Sequence, residues 1–145
     1  MANNMQVKYG GKSGGFALEL AKFAEQATEA IDASLREVII EVAGSLIQMS
    51  PVDSGRFRGN WQFSLVTPDN STSLNVDPTG AETLGRIVAA AGVFTAGQTA
   101  FITNSLPYAI PLEYGHSTQA PTGMVRVTLA RFQEIVNEAV RNNQV

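Results

Sequence analysis

Residues 16–49 read FALELAKFAEQATEAIDASLREVIIEVAGSLIQM, and apolar side chains recur in this stretch at every third or fourth position. This spacing places the apolar side chains along one face of an α-helix. No proline interrupts the stretch, and Pro51 ends it because the residue before a proline disfavours the helical conformation. At 1.5 Å per residue the helix spans on the order of 50 Å, which exceeds the ~30 Å diameter of a small domain.

The length of this helix leaves two interpretations. The helix either breaks near residues 28–33 and folds back on its own domain, or it continues and projects from the domain. A projecting helix exposes an apolar stripe that a neighbouring subunit has to cover. The sequence pattern alone does not decide between the two.

The rest of the chain predicts shorter elements. Alternating apolar and polar residues indicate a strand over residues 61–67, and we expect a second strand over residues 99–103. Residues 84–91 have the spacing of a short helix. Proline and glycine predict an irregular course over residues 106–120. A last helix begins near residue 121 and its predicted buried face consists of Val125, Leu129, Phe132, Val136 and Val140.

This order of elements predicts an α+β fold. It combines a long N-terminal helix, a small and mostly antiparallel sheet, a short middle helix and a C-terminal helix. A chain of 145 residues suits one domain, which we assign to residues 16–145. Residues 1–15 are polar and rich in glycine, and we expect them to form a flexible N-terminal arm.

The composition argues against several kinds of site. The chain has no cysteine, which excludes disulfides and cysteine-ligated metals. Its formal net charge of -3 lacks the basic footprint of a DNA-binding domain. No apolar run reaches the ~20 residues of a membrane span, and no phosphate-binding loop or zinc motif occurs. We therefore expect a soluble protein that needs no cofactor and no membrane.

Two segments, which we call the signature segments, carry less common residue combinations. The first, SPVDSGRFRGNW, covers residues 50–61, and the second, ITNSLPYAIPLEYG, covers residues 102–115. In the first segment we expect the Asp53 carboxylate to accept a backbone N–H in a tight turn, Gly55 to allow a positive φ if the turn needs one, and Phe57 to enter the core. In the second, Glu113 lies among apolar residues and needs a partner, for which Arg56 is the candidate, either directly or across a subunit boundary.

Together the two segments resemble those of the tail-completion and neck proteins of long-tailed bacteriophages and prophages. That family has a P-V-D-T/S-G-x-L/F-R turn after its first helix and an N-x-x-P-Y-A-x-x-x-E-x-G segment before its last helix. Ser54 and Phe57 stand here at positions where threonine and leucine are commoner. The matching positions taken as the structural motif are Pro51, Asp53, Gly55, Arg56, Asn104, Pro107, Tyr108, Glu113 and Gly115.

The resemblance implies a structural virion protein without enzymatic activity. Such a protein forms a ring, for which we favour a hexamer, at the neck or the head-proximal end of the tail. The ring joins or terminates the tail tube and lets DNA pass. The implied partners are further copies of the chain, the tail-tube protein, and connector or stopper proteins, all made in the host cytoplasm. The station among tail-completion, stopper and terminator proteins stays open.

The acidic residues of the first helix are candidates for the lining of such a ring. Carboxylates in a channel repel phosphate and leave DNA free to slide. The alternative is that they solvate an outer helix face. The residues concerned are Glu25, Glu29, Asp32, Glu37 and Glu41.

Two other functions stay open at this point. A DNA-binding module is one, because Arg56 and Arg58 place cations near Trp61, as in proteins that stack single-stranded bases. A carboxylate-based cell-wall hydrolase is the other, with Asp53, Glu113 and His116 as an acid–base set. The acidic balance argues against the first function, and the isolated position of the single histidine in a polar turn argues against the second.

Overall fold

A computed structural model describes residues 12–144 of the chain. It contains one long helix, a two-stranded antiparallel sheet and several short helices, which confirms the predicted α+β class. The elements in chain order are α1 (Lys12–Met49), a 3-10 turn (Arg58–Asn60), β1 (Gln62–Ser64), α2 (Ala81–Ala91), β2 (Phe101–Thr103), α3 (Ala109–Glu113), α4 (Val125–Ala130) and α5 (Phe132–Asn142).

Helix α1 is continuous over 38 residues, so the interpretation that it breaks near residues 28–33 is wrong. Residues 12–15, which the sequence assigns to the arm, are helical, while residues 1–11 of that arm lie outside the described residues. Every residue from Gly15 to Gln26 is exposed. At 1.5 Å per residue this segment extends about 18 Å beyond the rest of the domain. We call residues 15–31 of α1 its projecting half.

The main core lies under the C-terminal half of α1. Its side chains come from α1, α2, the first signature segment and the loops that precede α3 and α4. Burial of such side chains contributes roughly 25 cal/mol for each Å² of apolar surface removed from water. The buried cluster consists of Ala43, Leu46, Ile47, Phe57, Trp61, Ile87, Leu106, Ala120 and Met124.

The two strands are shorter than predicted. Strand β1 pairs with β2 antiparallel, with Phe63 opposite Ile102. Trp61 lies outside β1 because its ring turns into the core, where Nε1 donates to the Ser50 hydroxyl at 2.8 Å. After the strand, the Ser64 hydroxyl donates to the Thr67 carbonyl at 2.6 Å and closes a turn. Local side-chain hydrogen bonds therefore limit the sheet at both ends of β1.

The chain after β2 differs from the prediction in two places. Residues 109–113, predicted to be irregular, form α3, and Pro111 is tolerated there because the first turn of a helix has no intrahelical N–H bond to lose. The single helix predicted at the C-terminus is interrupted at Arg131, whose φ of -97° and ψ of 0° are not those of an α-helix.

The predicted buried face of the last helix is wrong. Val125, Leu129, Phe132 and Val140 are 40–63% exposed. Thr128, Ile135 and Ala139 are the side chains that pack inward instead. The buried positions 128, 135 and 139 are spaced by seven and four residues, so they continue one helical face across the interruption. This face lies about one residue before the predicted face, which is therefore turned towards solvent. The fold consequently leaves several apolar side chains on its surface.

Candidate interaction site

The two signature segments lie in direct contact. Asn104 Nδ2 donates to the Phe57 carbonyl oxygen at 2.9 Å, although 47 positions separate the two residues. The Tyr108 ring lies 5.8 Å from the Phe57 ring between centroids. Phe57 is buried as predicted and also meets Trp61 edge-on at 5.9 Å. Asn104 and Tyr108 thus hold the first segment in place, and the two segments form one structural unit.

The turn of the first segment depends on Gly55. Its φ of +96° confirms the predicted left-handed conformation, and a Cβ built there would lie 2.6 Å from the backbone nitrogen of Pro78. The Gly55 carbonyl accepts the N–H groups of Gly59 and Asp77, each at 3.0 Å. A larger residue at this position would therefore displace the loop that leads into α2.

The predicted acceptor of this turn is wrong. The Ser54 hydroxyl, rather than the Asp53 carboxylate, accepts the backbone N–H of Arg56 at 3.2 Å. Asp53 is exposed. Serine and aspartate side chains both close such turns, and here the serine has the suitable position.

The direct ion pair predicted between Arg56 and Glu113 does not form within the chain, and a contact between them across a subunit boundary stays a prediction. Arg56 Nε donates to the Ser73 carbonyl oxygen at 3.0 Å. The neighbouring Arg58 covers the end of α1, because its Nη2 donates to the carbonyl oxygens of Gln48 at 3.0 Å and Ser50 at 2.8 Å. A guanidinium there satisfies carbonyl groups that the end of a helix leaves without partners.

Glu113 caps helix α4. Its Oε1 accepts the backbone N–H groups of Met124 and Val125, each at 2.8 Å. Its Oε2 accepts both the backbone N–H and the Nε of Arg126, each at 3.1 Å. Gly123, with a φ of +87°, precedes these donors, and a Cβ there would collide with the Glu113 carboxylate. The helix start is therefore built around this single carboxylate.

The surroundings of Glu113 favour its charged form. Burial raises the pKa of the carboxyl group, but the hydrogen bonds from Val125, Met124 and Arg126 together lower it by more. The net result is a pKa below the ordinary glutamate value. A carboxylate that stays ionised as a cap is suited to holding structure.

Tyr114 and Gly115 complete the second segment. Gly115 has a φ of +87°, and a Cβ there would lie 2.7 Å from the Pro121 carbonyl oxygen. Tyr114 is exposed, and the Arg126 guanidinium lies 5.0 Å from the centroid of its ring, which is a cation–π contact. Arg126 therefore joins α3 to α4 through two neighbouring residues.

An open groove of about 380 Å³ runs between the two segments. Phe57, Tyr108 and Leu112 provide apolar lining, and Asp53 and Arg56 stand among its polar residues. Gln119 also lines the groove and exchanges two hydrogen bonds with the backbone of Val52, at 2.9 and 3.1 Å. An apolar centre with polar surroundings is a common arrangement in protein–protein contacts.

The sequence patterns missed two buried polar residues. The Asp77 carboxylate accepts the backbone N–H and the hydroxyl of Thr83, at 2.8 and 2.7 Å, and so fixes the start of α2 at Ala81 rather than near residue 84. Asn60 donates to the Arg56 carbonyl at 2.7 Å and accepts the Ser73 N–H at 2.8 Å. An aspartate shortly before a helix is a recognisable capping signal, whereas Asn60 carried no comparable signal.

The five acidic residues of α1 have different surroundings within the chain, and whether any of them lines a channel stays a prediction. The Asp32 carboxylate accepts the backbone N–H of Ala96 at 2.8 Å. Glu37 instead accepts the side-chain amides of Asn142 and Asn143, and Glu41 lines a cleft beside α5. The two that remain exposed on the projecting half of the helix are Glu25 and Glu29.

Two of the residues expected for the alternative functions, Trp61 and Glu113, make contacts within the fold. Trp61 is buried and bound to Ser50, so it does not present its ring to a base. Both carboxylate oxygens of Glu113 are committed to α4. Asp53 and His116 are exposed.

Neither the described residues nor the comparison with known proteins assigns a metal site, a membrane span or a family to the chain. Residues 12–144 contain no cluster of three side chains that could hold a metal ion. None of the helices in that part of the chain combines the length and apolar character needed to cross a bilayer. No family model, curated protein or solved structure matches the chain.

Proposed function

We propose that this chain is a structural protein of a long-tailed bacteriophage virion that assembles into a ring at the head–tail junction. The observation that carries the proposal is the uncovered apolar surface on the projecting half of α1. Phe16, Leu20, Phe23 and Ile31 are 54–59% exposed. At 100° per residue these four side chains lie on one side of the helix.

This surface continues towards the domain. Ala27 and Ala30 follow Phe23, and a strongly apolar groove of about 370 Å³ begins there and is also lined by Ile31, Leu35 and Val140. We name Phe16, Leu20, Phe23, Ala27 and Ile31 the α1 stripe. Monomeric proteins rarely expose a continuous apolar surface of this kind without a binding function. A protein partner therefore covers the α1 stripe.

The signature residues support a structural role rather than a chemical one. Arg58 covers the end of α1, and Gly55 holds the loop that leads into α2. Asn104 joins the two segments, and Glu113 fixes the start of α4. These contacts hold helix ends and loops in place. The resemblance of both segments to tail-completion and neck proteins then favours the phage neck as the place of assembly.

The proposed ring consists of further copies of the chain, and we favour a hexamer. A contact between two different surfaces of neighbouring subunits generates a closed ring when the rotation between them closes. The tail-tube protein and the connector or stopper proteins are the proposed partners above and below the ring. DNA passes through the ring without being held.

Native mass spectrometry of the full chain, together with immunogold labelling of virions, tests this proposal. We expect a single ring mass and labels at the neck. Phe23→Ser should shift the mass to smaller species, whereas Leu18→Ser should not. The two residues are matched in exposure, at 59% and 65%, but Leu18 lies on the opposite side of the helix. A chain that stays monomeric at high concentration and is missing from virions would contradict the proposal.

A further inference from the structure

Helix α1 is anchored to the domain only along its C-terminal part. Every residue from Gly15 to Gln26 is exposed, whereas full or partial burial is continuous over residues 32–40. The Asp32 carboxylate accepts the Ala96 backbone N–H at 2.8 Å, which is the first hydrogen bond along α1 to another described element. The anchored part of α1 therefore begins close to residue 32, and the projecting half before it has little tertiary support.

Further contacts hold the anchored part on two sides. Arg36 Nε donates to the Phe94 carbonyl oxygen at 2.7 Å, in the loop between α2 and β2. Glu37 accepts the side-chain amides of Asn142 and Asn143 at the end of α5. Unwinding of this part would break contacts with both neighbours, so its opening is linked to unfolding of the domain.

Two hydroxyl groups lie where the projecting half meets the anchored part. Thr28 Oγ1 donates to the Ala24 carbonyl oxygen at 3.0 Å, and Ser34 Oγ donates to the Ala30 carbonyl oxygen at 2.8 Å. Hydrogen bonds of this kind, to the residue four positions earlier, slightly destabilise a helix and often bend it. Threonine is also a weaker helix former than alanine, because its branched side chain loses rotamer freedom in a helix. The junction is therefore a locally weak part of α1.

The stability of the projecting half depends mainly on its own tendency to form a helix. Isolated helices shorter than roughly 12–15 residues are marginal in water, and the fully exposed segment from Gly15 to Gln26 falls within that limit. The anchored part removes the cost of nucleation, but each further residue then adds only one hydrogen bond of its own. Segments with few buried contacts and exposed backbone hydrogen bonds open at a free energy close to zero. Helix and coil therefore have similar free energies in this segment.

We infer that the projecting half of α1 exchanges between helix and coil in a free copy and becomes fully helical when copies assemble, an inference that rests on the proposed ring. The α1 stripe is a continuous apolar face only while its residues are helical. A free copy in the coil state therefore lacks the apolar patch that favours unspecific association. Because assembly has to offset the cost of ordering the segment, contacts that cover only part of the stripe are disfavoured.

Hydrogen exchange of the full chain, measured by mass spectrometry, tests the state of the free copy. In dilute, monomeric samples we expect the amides of residues 18–26 to be protected less than about tenfold, as for opening near zero free energy. The amides of residues 36–47 should exchange far more slowly. In the assembled ring both segments should be protected. Equal protection of the two segments in free copies would overturn the inference, and so would fast exchange of residues 18–26 in an intact ring.

Substitutions that lie off the α1 stripe test the coupling to assembly. Ala21 and Thr28 are exposed and do not belong to the stripe face. Ala21→Gly lowers the helix propensity and should weaken assembly by up to about fivefold for each copy, whereas Thr28→Ala raises it and should strengthen assembly by roughly two- to threefold. A helix that is already complete in free copies would make both variants neutral, since each change would then have the same effect before and after assembly.

Ala89→Gly, at an exposed position of α2, is the matched control and should lower thermal stability without changing assembly. Equal weakening of assembly by Ala89→Gly and Ala21→Gly would overturn the inference, because a general loss of stability would explain both. Neutral Ala21→Gly and Thr28→Ala variants in a ring that forms normally would overturn it and leave the proposed function standing. A chain that never assembles would contradict the proposed function instead, and the exchange of its free copies would still decide the state of the projecting half.

Discussion

Glu113 and Arg126 form an ion pair in which Oε2 and Nε lie 3.1 Å apart, and the same carboxylate caps the helix that carries the arginine. The arginine also donates to the Glu113 carbonyl oxygen and packs over Tyr114. One acidic residue thus organises both the end of the second signature segment and the start of α4. Three of the predictions below depend on this arrangement.

Replacing Glu113 with glutamine should lower the free energy of unfolding by roughly 1–2 kcal/mol, the usual cost of removing a helix cap. The carboxylate accepts four N–H donors through its two oxygens. The glutamine amide has only one oxygen that can accept. Urea denaturation measures the difference. Asp53→Asn is the control, because Asp53 is an exposed residue of the first segment, and we expect a change within about 0.5 kcal/mol. Equal losses in both variants would contradict the capping role.

The protein should lose stability as the pH falls below about 4.5. The folded chain lowers the pKa of Glu113 from 4.5 and that of Asp77 from 3.8. A lowered pKa means that the stabilisation is fully present above the unfolded value and disappears as the pH falls through the folded value. Unfolding measured at several pH values between 6 and about 3 should therefore give a shallower decline in Glu113→Gln and in Asp77→Asn. Declines parallel to that of the unmodified chain would rule out these two groups as the cause.

Gly55→Ala should destabilise the protein by about 2–4 kcal/mol. The substitution combines the cost of a left-handed backbone for a residue with a Cβ with a collision against the Pro78 backbone. Gly85→Ala is the matched control, since Gly85 lies within α2 and a Cβ there meets nothing within 4 Å. It should raise stability by up to about 1 kcal/mol. Thermal unfolding of both variants decides, and a Gly55→Ala protein as stable as the original would disprove the role of the turn.

Double-mutant cycles should couple Glu113 to Arg126 and leave it uncoupled from Arg56. We expect roughly 0.5–1 kcal/mol for the first pair, because the Arg126 side chain is half-exposed and solvent screens the interaction. For Arg56 and Glu113 the coupling energy should lie below about 0.5 kcal/mol, since Arg56 binds the Ser73 carbonyl instead. The reverse order of the two coupling energies would mean that the arginine contacts are assigned wrongly.

The unmodified ring should bind DNA weakly, and reversing Glu25 and Glu29 to lysine should create salt-sensitive binding and slow ejection if both line the channel. Each new cation next to a phosphate releases counterions and adds to the dependence of binding on salt. Asp32 is left unchanged because it holds Ala96. Glu82→Lys, at an exposed position of α2, is the control. Normal ejection by an assembled Glu25→Lys, Glu29→Lys virion would place these residues outside the channel.

Local periodicity predicted α1 and the α+β class well, because helix formation over residues 16–49 depends on neighbours three and four positions away. Whether the helix breaks or projects depends on what covers residues 15–26, and no local pattern contains that information. The last helix shows the same limit. Its inward face includes the polar Thr128 rather than the neighbouring Leu129, and which of two adjacent faces packs inward depends on tertiary contacts that the sequence pattern does not contain.

Two residues of the candidate site behave as predicted, whereas the predicted side-chain pairings do not form within the chain. Gly55 and Phe57 behave as expected because their roles follow from backbone conformation and hydrophobicity. The partner of Glu113 was wrong because ion pairs depend on tertiary distance, and Arg126 stands 13 positions further along the chain. Gly123 immediately before the start of α4 was the available indication that a side chain approaches there.

The position of the α1 stripe at the beginning of the chain has a consequence for synthesis. Helix α1 is complete when residue 49 has left the ribosome, whereas the buried cluster beneath its C-terminal half also requires Met124. At 5–20 residues per second, the roughly 100 residues that follow α1 take roughly 5–20 s to make. During this time the α1 stripe is exposed on a nascent chain whose core is still incomplete.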